Sequence, residues 1–280
     1  MSARPQAAPG TVTTPTKEEG AMGSAHIHGP QWGARVQDYA SIMEGFFCPV
    51  YERVFSEAKV GAGTKLLDVG CGPGLAAQLA AERGALVAGL DAAEASVAIA
   101  RERTPDGDFR SGELEALPWP HAAFDVVTSF NAFQFAADIP NALREARRVV
   151  RPRGRVAMVV WGRDEACETL ATLAAVNKLL PPAQTGAVGP PLSAPGRVER
   201  LLEQAGLLPL SSGELECVFA YPDLETAVRG VMSAGAVVSA AQRVGDEIVQ
   251  RAVAASFAPF QTSAGGYRQR NMFRYVIASA

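Results

Sequence analysis

The sequence predicts an α/β fold in which a mostly parallel sheet is covered by helices on both faces, and three observations carry that expectation. From Lys65 onward, short apolar runs alternate with alanine-rich helical stretches. The first run turns into its helix through a glycine loop, Gly70-Cys71-Gly72-Pro73-Gly74. The composition, 48% hydrophobic and 20% charged over 280 residues, is enough for a sizeable core. Strands that alternate with helices imply parallel pairing, with a helix in each crossover. Ligands of such sheets bind outside the carboxyl ends of the strands. The chemistry is therefore expected just after Val69, Leu90, Ser111 and Ser129.

The elements follow in order. Residues 1–30 are rich in Pro, Ala, Gly and Thr, lack hydrophobic periodicity, and read as a disordered tail. His26 and His28 fall in it, and no metal site is expected there or elsewhere. Residues 31–62 read as N-terminal cap helices. Between Tyr39 and Ser56, Ile42, Met43, Phe46, Phe47, Val50, Tyr51, Val54 and Phe55 recur at three- and four-residue steps, with a break near Pro49. Residues 63–221 read as the core of the fold. Strands are expected at Lys65–Val69, Leu86–Leu90, weakly near Phe109, at Phe124–Ser129 and at Val156–Trp161. Helices are expected at Leu75–Arg83, stopped by Gly84, then at Ala93–Arg103 and Asn141–Val150. The Pro/Gly-rich run Pro181–Pro195 reads as a mobile loop. Residues 222–262 hold two Ala/Val-rich helical stretches, Asp223–Gly235 and Gly245–Phe260, and residues 263–280 return as a strand.

The run Leu66 to Gly74 is the strongest chemical signal. Its glycines let the backbone approach a ligand that side chains would exclude. The spacing is G-x-G-x-G, with Leu75 where the dinucleotide fingerprint G-x-G-x-x-G needs its third glycine. The phosphate-binding G-x-x-x-x-G-K-[ST] pattern is missing too. Asp91 ends the next strand, where an acid can hydrogen-bond ribose hydroxyls. Capping the following helix is the plainer use of the same residue. Cys71 sits inside the loop with no histidine near it in sequence and reads as a small buried residue.

Taken together, these residues resemble the class I S-adenosylmethionine (SAM)-dependent methyltransferases, specifically the small-molecule branch that includes ubiquinone and menaquinone biosynthetic enzymes. The likeness runs from Leu66 to Trp161. It includes Gly89-Leu90-Asp91, the segment Ser111 to Pro118 (G-D-A-E-x-L-P in relatives), Phe124-Asp125-Val126-Val127 with Phe130-Asn131, and Arg147 to Gly154. The resemblance implies a seven-stranded Rossmann-like sheet whose last strand is antiparallel, completed by Leu215–Tyr221 and Met272–Ile277, with residues 222–262 as a helical lid. It also implies a cofactor site of Asp68, Gly70, Cys71, Gly72, Gly74, Asp91, Ala92, Gly112, Glu113, Leu114, Ser129, Phe130 and Asn131. In it the glycine loop wraps the methionine part, Asp91 holds the ribose, and Glu113 and Leu114 meet the adenine. Glu113 replaces the Asp usual in relatives, and Arg153 stands where a glycine is common. The cofactor implied is SAM, and the product S-adenosyl-L-homocysteine (SAH).

Methyl transfer mainly needs the acceptor positioned and water excluded, so no fixed catalytic motif is expected. A base is needed where the acceptor holds its proton tightly. Tyr39, His121 and Gln134 are the weak candidates for such work. Trp32, Tyr39, Gln134, Met232 and Phe257 are candidates for the acceptor pocket, with Val231 and Val237 beside them. Trp32 and Tyr39 serve equally well as apolar staples of the helix that follows, and lid apolars as ordinary helix packing.

Composition narrows the partners. A net charge of -3 and a pI near 5.7 weigh against nucleic acid. The one basic cluster, Arg144 to Arg155, lies at a helix end, where cations are stabilised without a partner. No apolar run approaches the ~20 residues that span a bilayer. Four scattered cysteines without a CxxC pair suggest reduced thiols in the cytoplasm. A small-molecule acceptor is therefore expected, while oligomeric state is left open. Other readings stay in view: an enzyme using SAM without methyl transfer (cyclisation or rearrangement), a nicotinamide-dependent oxidoreductase, a binding module without turnover, and a macromolecular substrate.

Overall fold

The computed structural model describes residues 23–181 and 191–280. The first 22 residues of the expected tail and the middle of the expected Pro181–Pro195 loop lie outside them. Seven strands form one sheet: β1 (Lys65–Val69), β2 (Leu86–Asp91), β3 (Asp108–Ser111), β4 (Phe124–Phe130), β5 (Val150–Trp161), β6 (Leu208–Tyr221) and β7 (Tyr267–Ser279). Their order is β3-β2-β1-β4-β5-β7-β6. The first five strands pair in parallel, and β7 runs antiparallel between β5 and β6. The chain reverses its direction of travel between β1 and β4, which makes that crevice the topological switch point.

Alternation along β1 explains the two cores. Leu66 joins a cluster with Phe55, Ala77, Val126 and Phe273, while Leu67 and Val69 join another with Val127, Leu143 and Leu202. Successive side chains of a strand point to opposite faces, so each face is closed by its own helices. Helices Cys48–Ala58 and Leu75–Glu82 supply the first cluster, Ile139–Val149 and Arg197–Gln204 the second. Asp138 caps the helix Ile139–Val149, its Oδ1 accepting the Asn141 N–H at 3.0 Å.

Several boundaries differ from expectation for physical reasons. The expected helix from Tyr39 is a π-turn (Tyr39–Met43), a 3-10 turn (Glu44–Phe47) and an α-helix from Cys48, with Pro49 in its first turn, where proline is tolerated. Residues 23–30 correct the expected tail: Ala25–Gly33 is a helix despite Pro30 within it. Glycines make that helix possible by letting it lie flush on the sheet's end, since a Cβ at Gly29 would stand 2.5 Å from the Ala92 carbonyl oxygen. The lid region holds three helices rather than two, Leu224–Met232, Gly235–Val244 and Asp246–Ser256. Part of the basic cluster is paired: Arg148 with Glu145 at 2.7 Å, Arg151 with Asp125 at 2.6 Å, while Arg155 donates to the Glu57 carbonyl at 2.7 Å.

Candidate active site

The glycine loop is held open by main-chain bonds to β2. Gly70 and Cys71 N–H groups donate to the Leu90 carbonyl at 2.7 and 3.0 Å. Gly70, Gly72 and Gly74 all have positive φ, a conformation only glycine adopts readily. A Cβ at Gly70 would overlap Ala132, and one at Gly74 would approach Ala100 to 2.7 Å. At Gly72 a Cβ would reach nothing nearer than Tyr39 Cε1 at 4.0 Å, so this glycine opens onto free space.

Asp91 ties the loop to the next helix. Its Oδ2 accepts the Gly72 N–H at 2.9 Å and its Oδ1 the Ala93 N–H at 2.8 Å. Burial pushes its carboxyl up, and the N–H groups of Ala93, Gly72 and Ala92 oppose that rise. Capping and ligand binding are compatible here, because each carboxylate oxygen keeps a second lone pair. Asp68, one strand over, is buried and accepts from Thr128 Oγ1 at 2.8 Å; burial raises its carboxyl to about 7. Burial also pushes the Cys71 thiol far up, which suits packing rather than nucleophilic chemistry.

One residue missed in the sequence completes the loop. Glu44 is 2% exposed, and its Oε1 accepts the Leu75 N–H at 2.9 Å, at the start of the helix after the glycines. Its other oxygen pairs with Arg103, which also donates to the Pro73 carbonyl at 3.0 Å. Burial raises the Glu44 carboxyl, with Arg103 opposing. No local pattern in the sequence links Glu44 to Leu75 across 31 residues.

Gly70, Gly72 and Asp91 face a cavity of about 400 Å³ at the carboxyl ends of β1, β2, β4 and β5. Of the expected cofactor residues, Gly70, Gly72, Asp91, Ala92, Gly112, Glu113, Leu114, Phe130 and Asn131 line it. Asp68, Cys71, Gly74 and Ser129 stand behind the wall. Ser129 Oγ and Asn131 Oδ1 are buried without a hydrogen-bond partner, and Asn131 holds a positive φ of 56°. Buried acceptors left unpaired are costly, and a donor-bearing ligand relieves them. Glu113 has a partner of its own: Oε2 accepts the Ala25 N–H at 2.8 Å, and Oε1 the Glu115 N–H at 3.2 Å. The helix Ala25–Gly33 thus roofs the cavity, contributing Ser24, Ala25, His28 and Trp32 to its lining.

Of the candidate acceptor residues, Trp32, Tyr39 and Gln134 line the cavity. Trp32 packs edge-on against Tyr39 and Phe135, each with ring centres 5.6 Å apart. The Tyr39 hydroxyl is held protonated by burial, then by Glu44 and Asp91. Four expectations are corrected. His121 is exposed in a turn away from the cavity. Met232 and Phe257 are fully buried in the core, Phe257 against Tyr221, Phe260 and Tyr267, because the lid helices turn those faces inward. The lid reaches the cavity through Val231, Ala234 and Ala236 instead, and Val237 is core as well. Beyond Asn131 the walls are Phe47, Trp161, Phe219, Leu170 and Leu173, of which only the chain's apolar rhythm gave a hint.

A doubly wound sheet with a glycine loop after β1, an acid after β2 and a roofed cavity at the switch point defines a nucleoside-cofactor enzyme with a methyltransferase fold. Residues 67–158 match the methyltransferase domain family. The chain is 30% identical over 185 residues to a malonyl-[acyl-carrier protein] O-methyltransferase of Erwinia pyrifoliae, covering 66% of this chain and 67% of that one. It is 37% identical over 128 residues to a ubiquinone biosynthesis O-methyltransferase of Pseudomonas entomophila, covering 43% and 55%. Among solved structures, the YcgJ protein of Bacillus subtilis superposes with a TM-score of 0.53 at 20% identity, covering 82% of this chain and 97% of that one. The chain belongs to the class I SAM-dependent methyltransferases. No helix among the described residues is long and apolar enough to cross a membrane.

Proposed function

We propose that the cavity binds SAM along β1, β2 and β4 and presents its methyl group to an acceptor seated toward β5 and β6. The observation that carries this reading is the continuity of one cavity from Asp91 and Glu113, past Gly70 and Asn131, to Trp161 and Phe219. The donor set fits the cofactor. Asp91 is placed for ribose hydroxyls, Glu113 and the Leu114 amide for adenine, and the unpaired Asn131 Oδ1 for an ammonium group. Bound there, SAM supplies an activated methyl group.

The protein's share is to orient the acceptor, exclude water and take up a proton where one is released. Both oxygens of Asp91 and both of Glu113 are occupied by backbone N–H groups. Tyr39 is held protonated. The ring of His28 lines the cavity beside Phe135, at 5.0 Å between ring centres, and takes part in no hydrogen bond among the described residues. For a hydroxyl acceptor, His28 is the proton acceptor in this reading. The relatives are named as O-methyltransferases, one for malonyl-[acyl-carrier protein] and one for ubiquinone biosynthesis, so O-methylation in a biosynthetic pathway is the reaction we assign. The four free cysteines fit a reducing compartment, and the cytoplasm is the location we propose.

The test is incubation with trideuteromethyl-SAM and a panel of phenols, enols and carboxylates, followed by mass spectrometry. A labelled methyl on product, matched by an equal amount of SAH, is expected. Tight SAM binding with the cofactor left intact on every acceptor would contradict methyl transfer.

A further inference from the structure

We infer that Glu113 is a positioning residue for the transfer step: it seats the roof helix Ala25–Gly33 and through it sets His28 and Trp32 over the acceptor. This rests on the methyltransferase reading above. The helix has no cap of its own. Ser24 stands at its N-cap without a side-chain hydrogen bond, and its first turn holds no acid. A helix of nine residues that contains Gly29, Pro30 and Gly33 does not hold itself together in water. At its start the support comes from Glu113, just after β3, whose Oε2 accepts the Ala25 N–H at 2.8 Å. A carboxylate there satisfies a free N–H group and meets the positive end of the helix dipole.

Glu113 is itself fixed. Its Oε1 accepts the Glu115 N–H at 3.2 Å within its own turn. Its side chain lies flat on Gly23, where a Cβ would overlap the carboxyl group. An aspartate at this position is one methylene shorter, and its carboxylate draws back from Ala25. The reach of the glutamate is therefore what joins the turn after β3 to the roof.

The helix carries this seat to the acceptor. The His28 N–H donates to the Ser24 carbonyl at 3.1 Å, so the histidine hangs one turn beyond the residue that Glu113 holds. Ala25, His28 and Trp32 follow at helical spacing, and all three line the cavity. A shift of about 1 Å in a reacting group can cost about 10²-fold in rate. Glu113 also lines the cavity where the reading above puts adenine. The two uses are compatible, because each carboxylate oxygen keeps a second lone pair. They differ in kinetics. Losing an adenine contact alone weakens ground state and transition state alike and raises KM, whereas misplacing His28 lowers kcat at saturating SAM.

The test uses Glu113→Asp and Gly23→Val in the full chain, the second pushing the Glu113 side chain aside without changing it. Hydrogen-exchange mass spectrometry on the cofactor-free proteins is expected to show residues 25–33 exchanging about tenfold faster in both. Unchanged exchange across β1 and β4 serves as the sign of intact folding. Glu113→Gln, which keeps the reach, is expected to exchange more slowly there than Glu113→Asp. With an acceptor that the parent methylates, Glu113→Asp is expected to lower kcat at saturating SAM about tenfold. Parent-like exchange over residues 25–33 in Glu113→Asp overturns the inference. So does a raised KM for SAM with kcat intact. A parent that methylates no acceptor removes the underlying reading instead, and the exchange result still decides whether Glu113 seats the helix.

Discussion

Asp91 and His28 show how differently single residues declare their use. Asp91 ends a strand after a glycine loop, so its position alone pointed to a nucleoside, and the structure adds its backbone bonds to Gly72 and Ala93. His28 carries no such signature, lying just before Gly29 and Pro30 in a stretch that reads as tail. Its role is an outcome of where the helix Ala25–Gly33 docks. His28→Ala is expected to lower kcat for a hydroxyl acceptor by about 10²-fold and to leave SAH affinity within about twofold, as loss of a general base does. Steady-state rates with calorimetry check it, with His121→Ala as the control on an exposed histidine. A His28→Ala enzyme with unchanged kcat would assign the proton to solvent.

Elements with strong local signals were legible, and elements stabilised by distant contacts were not. The strands β1 and β2 announced themselves because they are short, apolar and closed by Gly70 and Asp91, and β4 by its apolar run from Phe124. The start of β5 did not: the strand was expected only from Val156, yet Pro152, Arg153 and Gly154 already lie within it, beside a register shift between Phe124 and Val126. Met232 and Phe257 were candidates for the pocket because an apolar residue on a lid helix suits a cavity wall and a core equally, and only the packing of three helices separates them. The roof helix was hidden by Gly29, Pro30 and Gly33, all poor helix formers. Its seat is the close approach of Gly29 to Ala92. Gly29→Val is therefore expected to lift it, raising amide exchange across residues 25–33 and weakening SAM binding about tenfold, with the thermal midpoint little changed. Hydrogen-exchange mass spectrometry reads this directly, and unaltered exchange would show that the helix is seated by other contacts.

The whole molecule carries a stability cost at the same place as its chemistry. Asp68 is buried behind the glycine loop, and burial lifts its carboxyl from 3.8 to about 7, with the Thr128 hydroxyl opposing. The folded protein therefore holds this proton more tightly than the unfolded chain. Its contribution to stability is complete below about pH 4 and is lost as pH rises through about 7. Asp68→Asn keeps an acceptor for Thr128 and removes the ionisation. Denaturant unfolding at pH 4.5 and pH 8 should show the variant gaining on the parent at the higher pH, by on the order of a few kcal/mol at most. An identical pH dependence in both proteins would mean that Asp68 does not titrate in this range.

The account turns on the glycine loop and Asp91 holding a nucleoside cofactor, and calorimetry of SAM and SAH on the intact chain and on Asp91→Ala tests this most directly. Dissociation constants on the order of micromolar for the parent, weakened at least about tenfold in a folded variant, are the predicted result. No heat with either ligand, or equal affinity in the variant, would contradict it.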